Sequence, residues 1–579
     1  MSAISRMLRR SPAAGLIGDV AKWTRDPRTM RRLMADVRAT RAETAFMRTL
    51  PSAAPGARQV LVLSMTDWPY QVKTECMLVS ELRRRGWSVR VLTSHVYTIA
   101  RRIFAAYGIT DLVSFEKLVW DPKTYRQCVA EAARRAEGPL DFNAVKEWTY
   151  GDAWIGPQLL AWVARKTFNG APDPRDPVAR AELLKQLPLA CAFVHAAERY
   201  FDAQRPDLIL ANEPNSTLGP FVDVAIARGI PVVQFIQPSR DDALVFKRLN
   251  RVTRRVHANS VAPEVLDRLT REPWTPQHQQ ALDEEFRRRY GGVWQIQARN
   301  QPGTVDVSAA EIREELKLDA AKPTAVVFSH VLWDATLFFG RDLFDNYGHW
   351  FVETVKAAAV NPNLNWIIKL HPANLWKRKL AGVTAEQEEL RMIREAVGEL
   401  PDHVRLLMPQ TRISTLSLFR MADVGVTVRG SVGYEMPCFG IPVVTAGTGR
   451  YSGLGFTLDH DSAEEYLATL ARLHTVSRLS PREAHLAKVH AYALLVRRQW
   501  PFTSFRATMG TTVTDPLNQN FHLTSRSFAE IARNGDLAAF ADWVESGVDV
   551  DYLAPDPLVP VEEARASFGD YARAGASRK

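Results

Sequence analysis

The residues of this chain that are best suited to chemistry are cationic and hydroxyl-bearing side chains that directly follow short apolar segments. They are Lys369, His371, Arg429, Gly430 and Ser431. Lysine and arginine side chains, and backbone N–H groups at the start of a helix, bind phosphate oxygens. The set therefore predicts a site that neutralises a phosphate or diphosphate, such as one that departs during group transfer.

Residues 422–455 have the pattern of a nucleotide-binding βαβ unit. A β-branched strand at Ala422–Thr427 leads into a small-residue turn, a helix of one or two turns at Val432–Phe439 and a second strand. Ser431 stands where the helix begins, so its N–H can face a phosphate. Glu435, one turn later, is placed to accept hydrogen bonds from sugar hydroxyls. The alternative is that these residues only cap a helix in an α/β core.

Two earlier strands end in polar residues in the same way. The strand at Trp366–Ile368 precedes Lys369, and the strand at Thr324–Phe328 precedes His330 and Asp334. Ligands of open α/β sheets bind beyond the carboxyl ends of the strands. A single histidine after a strand is most often structural, but three strands that end in polar groups favour a cleft. His330 and Asp334 are therefore candidate catalytic residues.

The length and composition indicate a globular protein of more than one domain. At 579 residues the chain exceeds what one hydrophobic core serves. The four cysteines are far apart, without metal-ligand spacing, and no glycine-rich dinucleotide motif follows the first strand. We therefore expect neither a metal nor a cofactor. The lack of a recognisable signal peptide or membrane span predicts a cytoplasmic location.

The first sixty residues carry most of the net charge of +10. They contain twelve Lys or Arg against four Asp or Glu, with apolar residues at helical spacing between them. Such a basic amphipathic segment fits an anionic membrane surface, which would make the protein peripheral on the inner membrane. A helical arm that packs on the body fits the pattern nearly as well. A nucleic-acid partner is not expected, because no known binding motif accompanies the charge.

Three segments of the second half resemble those of the bacterial capsule polysaccharide biosynthesis proteins. They are Phe328–Ala335, Ile367–Pro372 with its His-Pro pair, and Val428–Thr457. That group includes GT-B glycosyltransferases that move Kdo from a CMP donor, and the His-Pro pair is shared in type with bacterial sialyltransferases. The resemblance covers residues 322–475 well, and the N-terminal half only by layout.

The resemblance implies an α/β fold of GT-B type, in which two Rossmann-like domains face a cleft. It also implies that His371 and Ser431 contact the donor phosphate, and that Tyr451 lines the sugar or base side of the pocket. The predicted parts of the chain are a basic helical arm and linker at 1–56, an N-terminal acceptor domain at 57–320, a C-terminal nucleotide-sugar domain at 321–475, and a helical, partly frayed tail at 476–579.

A transferase of this layout needs a base that accepts the proton of the acceptor hydroxyl. We expect it in the acceptor domain and favour Glu213, which follows the apolar strand PDLILA. Asp67, Asp241 and Asp242 follow neighbouring strands and stay open as alternatives.

These observations predict a metal-independent glycosyltransferase of capsule or surface polysaccharide biosynthesis. The donor would be a nucleotide-activated sugar, with a CMP-Kdo-like donor favoured and a UDP-sugar as the second candidate. The acceptor would be a glycan or a lipid-linked glycan. Three alternatives stay open: a nucleotide-sugar epimerase of GT-B fold, a polyol-phosphate transferase, and a non-catalytic protein that binds or exports polysaccharide.

Overall fold

A computed structural model describes residues 13–138, 140–213, 218–237, 240–298, 303–333, 337–374, 386–510 and 514–558. Asp334, one of the candidate catalytic residues, lies outside the described residues. The other candidate residues are all described.

The strands form two main sheets and two small hairpins. In chain order they are β1 (Gln59–Ser64), β2 (Ser88–Thr93), β3 (Leu112–Ser114), β4 (Thr149–Tyr150), β5 (Ala153–Trp154), β6 (Leu208–Asn212), β7 (Val232–Ile236), β8 (Ala243–Leu249), β9 (Thr324–Phe328), β10 (Asn365–Lys369), β11 (Val404–Leu407), β12 (Val424–Thr427), β13 (Val443–Thr445), β14 (Trp500–Pro501), β15 (Phe505–Met509) and β16 (Gln519–Leu523).

The helices cover both faces of these sheets. Those of the first half are α1 (Ala13–Arg25), α2 (Pro27–Glu43), α3 (Pro69–Arg84), α4 (Thr98–Ala106), α5 (Phe115–Val119), α6 (Pro122–Ala136), α7 (Phe142–Lys146), α8 (Gly156–Thr167), α9 (Pro177–Ala203), α10 (Gly219–Ala227), α11 (Pro263–Leu269), α12 (Pro276–Tyr290) and α13 (Gln295–Ala298). Those of the second half are α14 (Ala309–Glu315), α15 (Tyr347–Ala359), α16 (Glu388–Val397), α17 (Thr415–Met421), α18 (Val432–Glu435), α19 (Ala463–Ala471), α20 (Pro481–Tyr492), α21 (Phe528–Asn534) and α22 (Asp536–Ser546).

The sheet of the N-terminal lobe has the strand order β14-β8-β7-β6-β1-β2-β3. Strands β1, β2, β3, β6 and β7 are parallel, and β8 and β14 are added antiparallel. Along β1, Val60 and Val62 enter one apolar cluster while Leu61 and Leu63 enter another. This alternation buries both faces of the strand, which explains why its sequence is almost continuously apolar.

The sheet of the C-terminal lobe contains five parallel strands in the order β11-β10-β9-β12-β13. By sequence this is 3-2-1-4-5, the order of a Rossmann-like half. The direction of strand addition reverses between β9 and β12, and such a switch point leaves a crevice at the carboxyl ends of the strands. The predicted fold class is therefore confirmed: two Rossmann-like lobes form an α/β protein with a GT-B-like architecture.

The last part of the chain returns to the N-terminal lobe. Trp500 of β14 pairs with Leu244 of β8, and helix α22 packs on α3. Earlier in the tail, α20 packs against α18 of the C-terminal lobe. The tail thus contacts both lobes, and the boundaries placed at 56, 320 and 475 stay predictions.

Candidate functional site

A cavity of about 150 Å³ lies over the switch point between β9 and β12. Its wall is formed by the residues that follow β9, β10 and β12 and by residues of α12 and α13. The lining residues are Arg289, Tyr290, Gln297, Phe328, Ser329, His330, Lys369, Leu370, His371, Pro372, Thr415, Thr427, Gly430, Ser431 and Val432. Five of the residues predicted from the sequence therefore meet at one cavity: His330, Lys369, His371, Gly430 and Ser431.

Lys369 is a buried lysine that has no counter-ion among the described residues. It is the last residue of β10, is only 7% exposed and lines the cavity. Among the described residues, no carboxylate or hydrogen-bond acceptor contacts its ammonium group. Burial alone lowers the pKa of Lys369 to about 8. An unpaired buried charge is costly, so this position favours an anion that enters the cavity.

His330 joins the ends of β9 and β12. Its Nε2 accepts a hydrogen bond from the N–H of Val428 at 3.2 Å and lies 3.1 Å from the Thr427 hydroxyl. Because Nε2 accepts from a backbone donor, the ring proton resides on Nδ1. Burial, with help from the nearby His371, Arg429 and Arg450, holds the pKa of His330 well below its ordinary value. His330 is therefore a neutral imidazole at neutral pH.

Hydrogen bonds with Ser329 and Ala373 hold His371 in place. Its N–H donates to Ser329 Oγ at 2.9 Å, and its Nδ1 accepts from the N–H of Ala373 at 3.1 Å. The proton of the neutral ring is therefore on Nε2. This arrangement makes Nε2 the nitrogen that can donate to a ligand.

Arg429 faces away from this cavity. Its guanidinium forms a buried ion pair with Asp342 and lies 3.4 Å from the Tyr347 hydroxyl. Arg429 is 4% exposed and is not among the lining residues. The phosphate contact expected for Arg429 stays a prediction, and in this structure a carboxylate distant in sequence, Asp342, already neutralises the side chain.

Glu435 is also occupied. Its carboxylate is fully buried, lies 2.8 Å from Arg289 Nε and accepts a hydrogen bond from the Tyr290 hydroxyl at 2.5 Å. Both partners belong to α12. The contact to sugar hydroxyls that was expected for Glu435 stays a prediction, and the carboxylate joins α12 to the C-terminal lobe.

Arg289 is a charged residue of the cavity wall that was not predicted from the sequence. Its Nη2 donates to Ser431 Oγ at 3.2 Å, and Nη1 has no hydrogen-bond partner among the described residues. A signal existed, because Arg289 follows Leu282 and Phe286 at helical spacing and so continues their buried stripe. An arginine on such a stripe requires a partner, and here the partners are Glu435 and Ser431.

Tyr451 stabilises the turn at Gly430 by a hydrogen bond. Its hydroxyl donates to the Gly430 carbonyl at 2.7 Å, and the side chain is only 1% exposed. A Cβ atom at Gly433 would lie 1.9 Å from this hydroxyl, so a glycine is required there. Tyr451 is not among the residues that line the cavity. The helix that starts after Ser431 is α18, a single turn that continues as a 3-10 turn at Met436–Phe439.

The candidate bases of the N-terminal lobe lie outside the cavity lining. Glu213 directly follows β6, is exposed and has a φ of 33°, a conformation that is uncommon for a residue with a side chain. Asp241 accepts hydrogen bonds from the N–H groups of Gln295 and Ile296 at 2.7 and 3.0 Å, and so positions the start of α13 beside the cavity. Asp67 binds Lys22 and the N–H of Ala100.

Asp242, the last of the candidate bases, forms a two-pronged hydrogen-bonded ion pair with Arg240, at 2.9 Å on each side. This carboxylate is about half exposed. Its geometry is that of a local ion pair after β7.

A second cavity of about 530 Å³ adjoins the first and shares Arg289, Tyr290 and Gln297 with it. Its remaining wall comes from the end of α12, the residues around Val305, and the start of α17. The first cavity has room for a phosphate group, whereas the second is of the size that holds small organic ligands.

No family model matches this chain, and no curated protein matches it. Among solved structures, the chain is similar to the β-Kdo 2,4-transferase KpsC of Thermosulfurimonas dismutans, at 14% identity over 50% of this chain and 79% of that one, with a TM-score of 0.29. It is likewise similar to the β-Kdo 2,7-transferase KpsC of the same organism, at 14% identity over 60% and 89%, with a TM-score of 0.28. A third similar structure is S. aureus MnaA with UDP, at 11% identity over 75% and 92%, with a TM-score of 0.27. The fold itself rests on the strand orders of the two sheets. The chain has a GT-B-like fold.

Proposed function

We propose that this protein is a glycosyltransferase that takes a sugar from a nucleotide-activated donor and transfers it to a glycan or lipid-linked glycan acceptor. The observation that carries the proposal is Lys369, a buried ammonium with no counter-ion in the part of the chain that the structure describes, in a cavity at the switch point of a Rossmann-like sheet. A bound phosphate would supply the missing negative charge. A purely structural lysine would have a carboxylate partner.

The donor fits across the two adjoining cavities. Its phosphate would occupy the smaller one, where Lys369, Arg289 and His371 Nε2 can donate hydrogen bonds and Ser431 offers its hydroxyl. The larger cavity would take the nucleoside. The resemblance to capsule enzymes favours a CMP-Kdo-like donor over a UDP-sugar.

During transfer, the bond between the anomeric carbon and the phosphate oxygen breaks, and a bond forms between that carbon and the acceptor oxygen. The cationic groups stabilise the negative charge that collects on the departing phosphate. His330 is neutral, so it contributes position and an Nδ1 donor, not charge. The acceptor proton must pass to a base, for which we propose Glu213 of the facing lobe.

Nucleotide binding can be tested by thermal denaturation of the full chain with CMP, CDP, UDP and GDP. A ligand at about 100 times its dissociation constant adds about 2.7 kcal/mol of stability. We expect one nucleotide to raise the melting temperature of the wild type and of Lys356→Met, which alters an exposed lysine. Lys369→Met should abolish the increase. An equal increase in Lys369→Met would overturn the assignment of the phosphate site.

Catalysis requires a separate test, because an epimerase would bind the same nucleotides. The chain is incubated with the nucleotide sugar that it binds, with and without a glycan acceptor, and the products are identified by mass spectrometry and NMR. Release of the nucleotide only when acceptor is present supports the transferase. Interconversion of the free nucleotide sugar without acceptor would establish the epimerase instead.

A further inference from the structure

The two helices of the N-terminal arm are oriented oppositely with respect to the body. Helix α2 buries Met30, Leu33 and Val37 against the N-terminal lobe, as an amphipathic surface helix ordinarily does. Its Asp36 also enters the lobe and lies 2.8 Å from Lys73. This half of the arm packs on the body, which is one of the two outcomes that the sequence left open.

Helix α1 instead contacts the body through its polar side. A Cβ atom at Gly15 would lie 2.9 Å from the His95 carbonyl oxygen, so the backbone approaches closely there. One turn later, Asp19 accepts a hydrogen bond from the Thr98 hydroxyl at 2.5 Å. Among the described side chains of α1, the two buried ones, Gly15 and Asp19, are therefore a glycine and a charged residue.

The opposite face of α1 is apolar and points to solvent. Ile17, Val20 and Trp23 follow one another at helical spacing and are 60%, 63% and 38% exposed. Trp68, which is 45% exposed, is close by, because the adjacent Asp67 binds Lys22 of α1 at 2.8 Å. A helix that docks by its polar face exposes its apolar face to water, which is energetically unfavourable. The same orientation is favourable at a surface that is partly apolar.

The acidic and the basic side chains of the arm have different surroundings. Its acids are all engaged, since Asp19, Asp26, Asp36 and Glu43 each accept a hydrogen bond from the N-terminal lobe, the tail or a helix start. Many of its basic side chains are exposed, and several have no ion-pair partner among the described residues. Those are Arg25, Arg28, Arg31, Arg38 and Arg41.

We propose that α1 lies in the interface of an anionic lipid bilayer, with Ile17, Val20 and Trp23 among the acyl chains and the arginines at the headgroups. The outward cations attract the anionic surface, and the outward apolar side chains then insert. The positive charge and the apolar stripe are needed together, which distinguishes this surface from a site for nucleic acid. Among the described residues, no helix is long and apolar enough to cross a bilayer. The interaction would therefore be peripheral.

The test is flotation of the full chain with vesicles of phosphatidylcholine, alone or mixed with phosphatidylglycerol. We expect binding to the mixed vesicles only, weakening as salt is added. Arg25→Gln combined with Arg28→Gln should lower the partition coefficient about 30-fold, since each charge contributes about fivefold. The triple variant Ile17→Ser, Val20→Ser, Trp23→Ser should abolish flotation while its circular dichroism spectrum and melting temperature stay unchanged.

A matched control exchanges three exposed valines elsewhere, Val178, Val252 and Val360, for serine. This variant should float like the wild type. Absence of flotation by the wild type, or equal loss in the control, would overturn the proposal. Two further outcomes would also overturn the proposal. Dimers that only the triple α1 variant abolishes would identify a second copy of the chain as the partner. Binding to duplex DNA in place of vesicles would identify a nucleic acid.

Discussion

Lys73 of the N-terminal lobe and Lys369 of the C-terminal lobe are both buried, and burial lowers the pKa of both. Their surroundings differ. The ammonium of Lys73 contacts Asp36, the Asn520 side chain and the Phe521 carbonyl at 2.8, 2.8 and 3.1 Å. Lys369 has no such contact among the described residues.

Lys247 extends the comparison. It contacts Asp551 at 2.6 Å, and Arg498 contacts the same carboxylate at 3.0 Å. In the N-terminal lobe, then, buried cations join segments that are far apart in sequence: the arm and the tail to the central sheet. In the C-terminal lobe, Arg429 is paired in the same way with Asp342, whereas Lys369 faces a cavity. A buried charge with a full set of partners is structural, and one without partners indicates a ligand.

The largest effect is expected where a structural cluster is broken. Asp551→Ala leaves Lys247 and Arg498 buried without their carboxylate, and should lower the free energy of unfolding by about 3–5 kcal/mol. Urea denaturation measures it. Asp549→Ala, which removes the partly exposed partner of Arg268, should cost about 0–1 kcal/mol. Equal losses in both variants would show that the buried cluster is not a structural anchor.

The next prediction compares the two lysines directly, in the absence of ligand. Lys73→Met strands the buried carboxylate of Asp36, so the free energy of unfolding should fall by about 3 kcal/mol or more. Within the described residues, Lys369→Met strands no carboxylate and removes a buried ammonium without an ion-pair partner, so stability should be unchanged or higher. A large loss in Lys369→Met would mean that the lysine has a structural role and would remove the contrast.

Two buried arginines, Arg289 of α12 and Arg429 of the C-terminal lobe, should differ in their effect on ligand binding. Arg289 lines the cavity, so Arg289→Gln combined with Glu435→Gln, which leaves no unpaired carboxylate, should weaken nucleotide binding by about 1.5–3 kcal/mol. The control is Arg429→Gln combined with Asp342→Asn, which removes both charges of the other buried ion pair. Asparagine is used at position 342 in place of glutamine because it preserves the side-chain length of aspartate. The nucleotide affinity of this control should change little. Isothermal titration calorimetry measures both. Loss of binding only in the Arg429 pair would reverse the assignment.

The smallest effect concerns pH. Because the pKa of Lys369 is lowered to about 8, its ammonium deprotonates above that pH, and nucleotide affinity should fall by at most about tenfold per pH unit there. Lys369→Arg, which stays protonated, should not show this fall. The stability of the free protein changes with pH in the opposite direction. A depressed lysine pKa penalises the charged native form. The contribution of Lys369 to the free energy of unfolding therefore improves as the pH rises from about 8 towards the pKa of the unfolded state, near 10.5.

The elements around the cavity could be predicted closely from the sequence. Strand β9 has the predicted bounds, and β10 and β12 lie within one or two residues of theirs. The reason is that buried parallel strands must be continuously apolar and must end where polar residues begin. For the same reason His330, Lys369, His371 and Ser431 could be placed at one sheet edge. Strand β8 was missed, because its Lys247 resembles a surface residue until Asp551 is brought beside it.

The strands, their apolar faces and the polar residues at their ends can be read from the sequence, because each depends on neighbours along the chain. Which charges are already neutralised depends on the fold. Arg429 and Glu435 are paired with Asp342 and Arg289, which lie 87 and 146 positions earlier. Coulomb interactions in a buried site depend on distance in space, and the fold alone sets that distance. The same holds for α1, whose apolar stripe is legible in the sequence but whose outward orientation is decided by the contacts of Gly15 and Asp19.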